Sequence, residues 1–187
     1  MTNMTSSQFS RLVTMGSLGG LGMMILSACG PSIPPVDMSL PMNDGEYTGE
    51  SNPDEQGAIG TVHITVEGGK ITSTSYETRM KDGELKDQNY GTTSAGEVGN
   101  KDYYKRAQKA VEAFNKYSVE LTATNDPNEV DVISGATVAH SQFMQAAIRA
   151  IQTAQGVETQ SGEDAADQID VPGLDFSDDD QLDEFSN

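Results

Sequence analysis

The stretch from Thr61 to Tyr76 leaves little choice of local structure. Val62, Ile64 and Val66 alternate with Thr61, His63, Thr65 and Glu67. A period of two puts the apolar set on one face of a half-buried strand. Gly68-Gly69 follows, and a Gly-Gly pair tolerates the positive φ that a tight hairpin turn requires. Lys70-Ile-Thr-Ser-Thr-Ser-Tyr76 is rich in β-branched residues and returns as the partner strand. His63 lies opposite the apolar stripe, so it faces solvent or another element and is not read as a catalyst or ligand.

Helical patterns supply the layer that covers such a hairpin. Over Asp102 to Leu121, Tyr104, Ala107, Val111, Phe114, Ser118 and Leu121 share one face, with Lys105, Lys109, Glu112 and Lys116 elsewhere. Its Tyr and Phe residues are assigned to the core. Asn125-Asp-Pro-Asn128 is a turn signal. Beyond it Phe143, Met144, Ala147, Ile148 and Ile151 recur at helical spacing, predicting a helix that starts near Thr137 and fades after Ala154. Lys81-Asp-Gly83 marks another turn, and Asp87-Gln-Asn-Tyr-Gly91 begins a loop running to about Asn100. The expectation is an α+β fold, a small antiparallel sheet packed with helices, in one domain over residues 44–155 with disordered termini.

The last helix opens on Asp131-Val-Ile-Ser-Gly-Ala-Thr137. This short loop delivers Ser134 and Thr137 to a helix N-terminus, where unpaired N–H groups and the dipole favour a phosphate. Gly135 lets a backbone approach closely. Spacing alone equally allows a capped turn of small residues, with Asp131 making a local side-chain–backbone bond. No Gly-Lys-Ser/Thr follows, so this is not a Walker loop. Gly-x-Ser-x-Gly is also absent, which excludes a nucleophile elbow.

The stretch resembles the flavinylation motif Asp-x-x-Ser/Thr-Gly-Ala-Thr/Ser of the FMN-binding domain family. That family includes the C subunit of sodium-pumping NADH:quinone oxidoreductase, the G subunit of Rnf complexes and lipoproteins of extracellular electron transfer. Asp44-Gly-Glu-Tyr-Thr-Gly-Glu50 is similar to the family's first strand, Asp-Gly-x-Tyr-x-Gly, and the hairpin also matches, so the likeness runs from about Asp44 to Ala154. It implies that a flavin transferase, using FAD and Mg²⁺, links FMN to Thr137 through a phosphoester. Ser134, Gly135 and Ala136 would form the loop around that phosphate, and Asp131 a recognition or loop-ordering position. Tyr90 and His140 are candidate neighbours of the cofactor. His140 lies three residues after Thr137 on the same helix face.

Nothing else in the chain points to catalysis. A His/Cys metal site is unsupported, and the scattered carboxylates offer no defined pair. Such a chain fits a carrier better than a stand-alone enzyme, since flavin chemistry belongs to the cofactor. A net charge of −18 and a pI near 4.1 argue against nucleic acid, which requires a basic face.

The ends are read separately. Residues 1–28 form a processed leader. Arg11 precedes an uncharged run that ends in Leu26-Ser-Ala-Cys29, which resembles a bacterial lipobox. The resemblance implies lipidation of Cys29 and a cell-membrane anchor on the extracytoplasmic face. The lone cysteine excludes an internal disulfide. Residues 29–43, with Pro31, Pro34, Pro35 and Pro41, read as a stiff extended tether. Residues 156–187 lack Lys and Arg and read as a disordered acidic tail.

The respiratory relatives are held by a transmembrane helix, so the lipobox favours the lipoprotein branch. The implied partners are a flavin transferase, a membrane NADH or quinol dehydrogenase, and an extracellular electron acceptor or reductase. Two other functions fit the sequence: a non-redox acidic binding lipoprotein, and an accessory subunit of a flavin-dependent reductase.

Overall fold

The structure, a computed structural model, describes residues 36–157 and 165–172. Cys29 and the leader lie outside the described residues. Three strands, β1 (Gly45–Glu50), β2 (Ile59–Glu67) and β3 (Lys70–Arg79), form an antiparallel sheet in sequence order, with β2 central. Gly68 and Gly69 turn the hairpin at φ of 60° and 73°, the double positive φ of a type I′ turn. A bulge between Thr65 and Val66 shifts the register near the turn. Val62, Ile64 and Val66 are all buried, each contributing about 1.5–3 kcal/mol relative to exposure. His63 stays on the open face, bonded through Nδ1 to Thr48 Oγ1 at 2.8 Å.

Two helices cover the other face. The first, α1 (Lys101–Thr124), is capped by Asn100, whose side chain accepts from the N–H groups of Asp102 and Tyr103. It ends at Asn125, in the left-handed region at φ 58°. The Asn125 side chain accepts from Ile71 N–H at 2.6 Å and donates to Ile71 O at 3.1 Å, fastening the helix end to β3. A 3-10 turn over Pro127–Glu129 leads towards the second helix, α2 (Thr137–Gln155).

α2 is the centre of the molecule. Phe143, Ala147, Ile148 and Ile151 are fully buried, as their spacing predicts, but so are Gln142 and Gln145 on the flanks. Gln142 Nε2 donates to Ala58 O at 2.7 Å. Gln145 accepts from Asn52 N–H and donates to Ile169 O, each at 2.7 Å. Paired in this way, the amides escape the penalty of a buried unsatisfied group. β1 lies so close that a Cβ on Gly49 would meet Ala146 O at 2.1 Å. Only glycine fits there, which gives the last glycine of the Asp-Gly-x-Tyr-x-Gly pattern a packing reason.

Two boundaries differ from the sequence expectation. Residues 36–43 are not a free tether. Val36 is buried, Met38 and Met42 pack on the core, and Asn43 N–H bonds to Ala154 O at 2.8 Å. Apolar side chains between the prolines draw this segment onto the domain. Residues 165–172 likewise depart from the disordered tail. Ala165–Gln168 form a 3-10 turn with Ala166 buried, and Asp167 pairs with Arg149 at 2.7 Å and with Asn52 at 3.0 Å. Ala166 and Ile169 supply a small apolar contact that the acidic average conceals. Residues 158–164 and 173–187 lie outside the described residues. Among the described residues no helix is long and apolar enough to cross a membrane.

Candidate functional site

A cavity of about 400 Å³ opens between the start of α2, the first half of α1 and the segment after β3. That size falls within the roughly 300–1,000 Å³ typical of small-molecule sites. Ala107, Ala110 and Phe114 give it an apolar side from α1, and Thr78 and Gln142 line it from β3 and α2. Tyr90, Tyr103 and Arg106 complete the wall with Lys86, and Pro172 brings the C-terminal segment to it.

The 131–137 loop forms one part of this wall. Gly135, Ala136 and Thr137 line the cavity. Gly135 sits at φ +80°, a conformation that strains other residues, and a Cβ there would lie 3.2 Å from Lys109 Nζ. No side chain caps α2: Ala136 occupies the capping position and makes no side-chain bond. The simple capped turn that spacing allowed is therefore not what forms. Thr137, Val138 and Ala139 carry the first-turn N–H groups at the cavity wall. Thr137 is exposed there. Ser134 and Asp131 are exposed too, but neither lines the cavity.

The loop is held from beneath. The Tyr117 hydroxyl accepts from Ile133 N–H and donates to Ala136 O, both at 3.3 Å, so one buried side chain spans the turn. Burial raises its pKa. His140 Nε2 lies 2.9 Å from Val130 O, an acceptor, so that nitrogen carries the proton. The imidazole packs against Tyr117 at 5.3 Å between centroids and does not line the cavity. The expectation that His140 neighbours a cofactor is corrected on this point. Its side chain turns under the loop, where a backbone carbonyl and an aromatic ring satisfy it.

Tyr90, the other candidate, does line the cavity. Its ring packs edge-on against that of Tyr103, with centroids 6.4 Å apart. Burial, reinforced by the neighbouring Tyr90 phenol, pushes Tyr103 up to about 12, and burial also raises Tyr90. Both phenols are thus neutral at physiological pH. Sequence reading missed Tyr103, Arg106, Lys86 and Tyr117. Phe114 was assigned to the core and serves both, packing edge-on against Tyr76 at 4.9 Å while lining the cavity. Helical spacing links Tyr103 and Arg106 to Ala107, Ala110 and Phe114, but it cannot tell a cavity wall from a core face.

The family model for the FMN-binding domain matches residues 57–152. The chain belongs to the FMN-binding domain family. The matched span contains the whole β2–β3 hairpin, α1, the 131–137 loop and most of α2, and leaves out β1 and the C-terminal segment. No curated protein matches the chain. Among solved structures, it is similar to the crystal structure of a Clostridium perfringens protein at 25% identity, with a TM-score of 0.49. That alignment covers 64% of this chain and 93% of the other. A solution NMR structure from Clostridium thermocellum is 26% identical with a TM-score of 0.33, covering 65% of this chain and 97% of the other.

The cavity fits the group the family binds. Aromatic and aliphatic side chains suit a flat ring system, and an uncapped helix start suits a phosphate. Tyr90, Tyr103, Ala107 and Phe114 would hold the ring, and Gly135–Thr137 the phosphate. This is a flavin-binding protein.

Proposed function

We propose that the chain carries FMN covalently on Thr137 and relays electrons on the extracytoplasmic face of a membrane, to which Cys29 anchors it. Electrons would come from a membrane NADH or quinol dehydrogenase and pass to an extracellular acceptor or a reductase. The observation that carries this reading is the position of Thr137. Its hydroxyl-bearing side chain is exposed where a transferase can reach it, yet the residue lines the cavity.

The attachment balances simply. Thr137 Oγ1 forms a bond to the phosphorus of the FMN half of FAD, the pyrophosphate bond breaks, and AMP leaves with its phosphate. The hydroxyl proton passes to a base of the transferase. Around the new phosphoester, the first-turn N–H groups of α2 stabilise negative charge, and Lys109 beside Gly135 adds a cation. Tyr117 fixes the turn so that Thr137 is presented rather than collapsed onto the helix. Bound FMN supplies the capacity to take and give electrons singly or in pairs. A covalent link suits an extracytoplasmic carrier, because a dissociated cofactor would be lost by dilution.

The test is the intact mass of the chain after co-expression with a flavin transferase. The expected gain is one FMN less one water, lost in Thr137→Ala and kept in Thr137→Ser. No gain in the presence of a demonstrably active transferase would overturn the reading and leave a non-covalent flavin-binding lipoprotein.

A further inference from the structure

The attachment at Thr137 makes no use of the most costly feature of the cavity. Lys86 Nζ and Asp54 Oδ2 form an ion pair at 3.0 Å, with side chains 8% and 2% exposed. Removing both charges from water is expensive, and a buried pair is often no more stable than apolar residues of the same volume. The pair is therefore weakly explained by stability.

Its two members are also unequally satisfied. Asp54 Oδ1 accepts from Gln56 N–H at 2.9 Å and Ala58 N–H at 2.8 Å, and Oδ2 takes the Lys86 proton. The carboxylate is locked into its loop and does not line the cavity. Lys86 does line it. An ammonium has three N–H donors, and among the described residues its hydrogen bond goes to Asp54 alone. Two donors of a buried cation thus lack a hydrogen-bonding acceptor, with the Tyr90 ring centroid 5.1 Å away. Buried donors of this kind call for a partner, and the cavity is the place from which one can come.

We propose that Lys86 is the ring-end recognition residue, donating to the electron-rich carbonyl edge of the flavin and favouring its reduced form, with Asp54 as the positioning residue that aims it. This rests on the FMN reading. A neutral carbonyl or ring nitrogen is the acceptor that suits a buried, aromatic-flanked ammonium, since the phosphate is taken by Thr137. Reduction by two electrons with uptake of one proton from solvent leaves the ring one unit more negative. A cation that touches the ring stabilises that charge more than a carboxylate set behind it opposes it.

The experiment is a reductive titration with dithionite of the flavin-loaded full chain, with loading verified by intact mass. Loaded Lys86→Met is expected to favour the reduced form at least tenfold less, roughly 30 mV lower for a two-electron couple. Asp54→Asn, which removes the opposing charge and keeps the side-chain shape, is expected to shift the potential the other way. A merely structural role would move neither, or both alike. Loaded Lys86→Met with an unchanged potential overturns the inference and leaves the FMN reading standing. So does loaded Asp54→Asn with a lowered or unchanged potential. A wild-type chain that takes no flavin from an active transferase overturns the covalent reading first, and the inference with it.

Discussion

Thr137 and Lys86 line the same cavity, but their surroundings are built in opposite ways. Around Thr137, Gly135, Ala136 and the helix start come from one short stretch of chain, and the side chain is exposed. Around Lys86, Asp54 precedes β2, Lys86 and Tyr90 follow β3, and Tyr103 belongs to α1; the charged pair is almost wholly buried. The first arrangement is cheap to change and chemically decisive. The second is expensive to change, because each group there depends on another to stay satisfied.

That contrast breaks first at Asp54. Asp54→Ala leaves an uncompensated ammonium in the interior, and chemical denaturation should show a loss of about 3–5 kcal/mol. Lys86→Met leaves the Asp54 carboxylate without its cation but still holding the Gln56 and Ala58 N–H groups, and should cost less. If both cost the same, the pair acts through packing and the contrast with the Thr137 end weakens. A smaller effect is expected at Tyr117, which joins the loop to the core. Tyr117→Phe strands Ile133 N–H, while Ala136 O keeps the His140 N–H, so the loss is on the order of 1–3 kcal/mol and at the lower end. The same variant should accept flavin more slowly by mass, since Thr137 loses its fixed presentation.

The tyrosines give a pH test. Tyr103 is raised in the folded state to about 12, from an unfolded value near 10. Between these values the unfolded chain has lost its phenolic proton and the folded chain has kept it. Stability is therefore full below about pH 10 and falls as pH rises toward about 12. Denaturation midpoints across that window should decline, and Tyr103→Phe should flatten the decline. The smallest stability change is expected at Thr137 itself. Thr137→Ala should lie within about 0.5 kcal/mol of wild type in the flavin-free chain, although it removes the covalent flavin altogether. A large loss there would show that the exposed end is structural after all.

How much of this was legible depends on how local the cause is. Val62, Ile64 and Val66 and the Gly68-Gly69 turn could be read directly, because strand periodicity and positive φ are properties of adjacent residues. The start of α2 at Thr137 was legible for the same reason. His140 was misplaced because helical spacing gives a face and not a rotamer, and Val130 O and Tyr117 decide the rotamer. Asn125 was legible as a turn residue, but its bonds to Ile71 required β3 to be in place.

The sequence by itself determined the hairpin, the two helices, the flavinylation-like motif and hence the family, because each rests on contacts a few residues apart. Only the tertiary structure decided that α2 is buried on nearly every side, with Gln142 and Gln145 satisfied by Ala58 and Ile169. It alone brought Asp54 to Lys86 and folded residues 36–43 and 165–172 onto the domain. Burial and ion pairing between segments far apart in the chain depend on where the backbone travels, and no short-range pattern of polar or acidic residues records that.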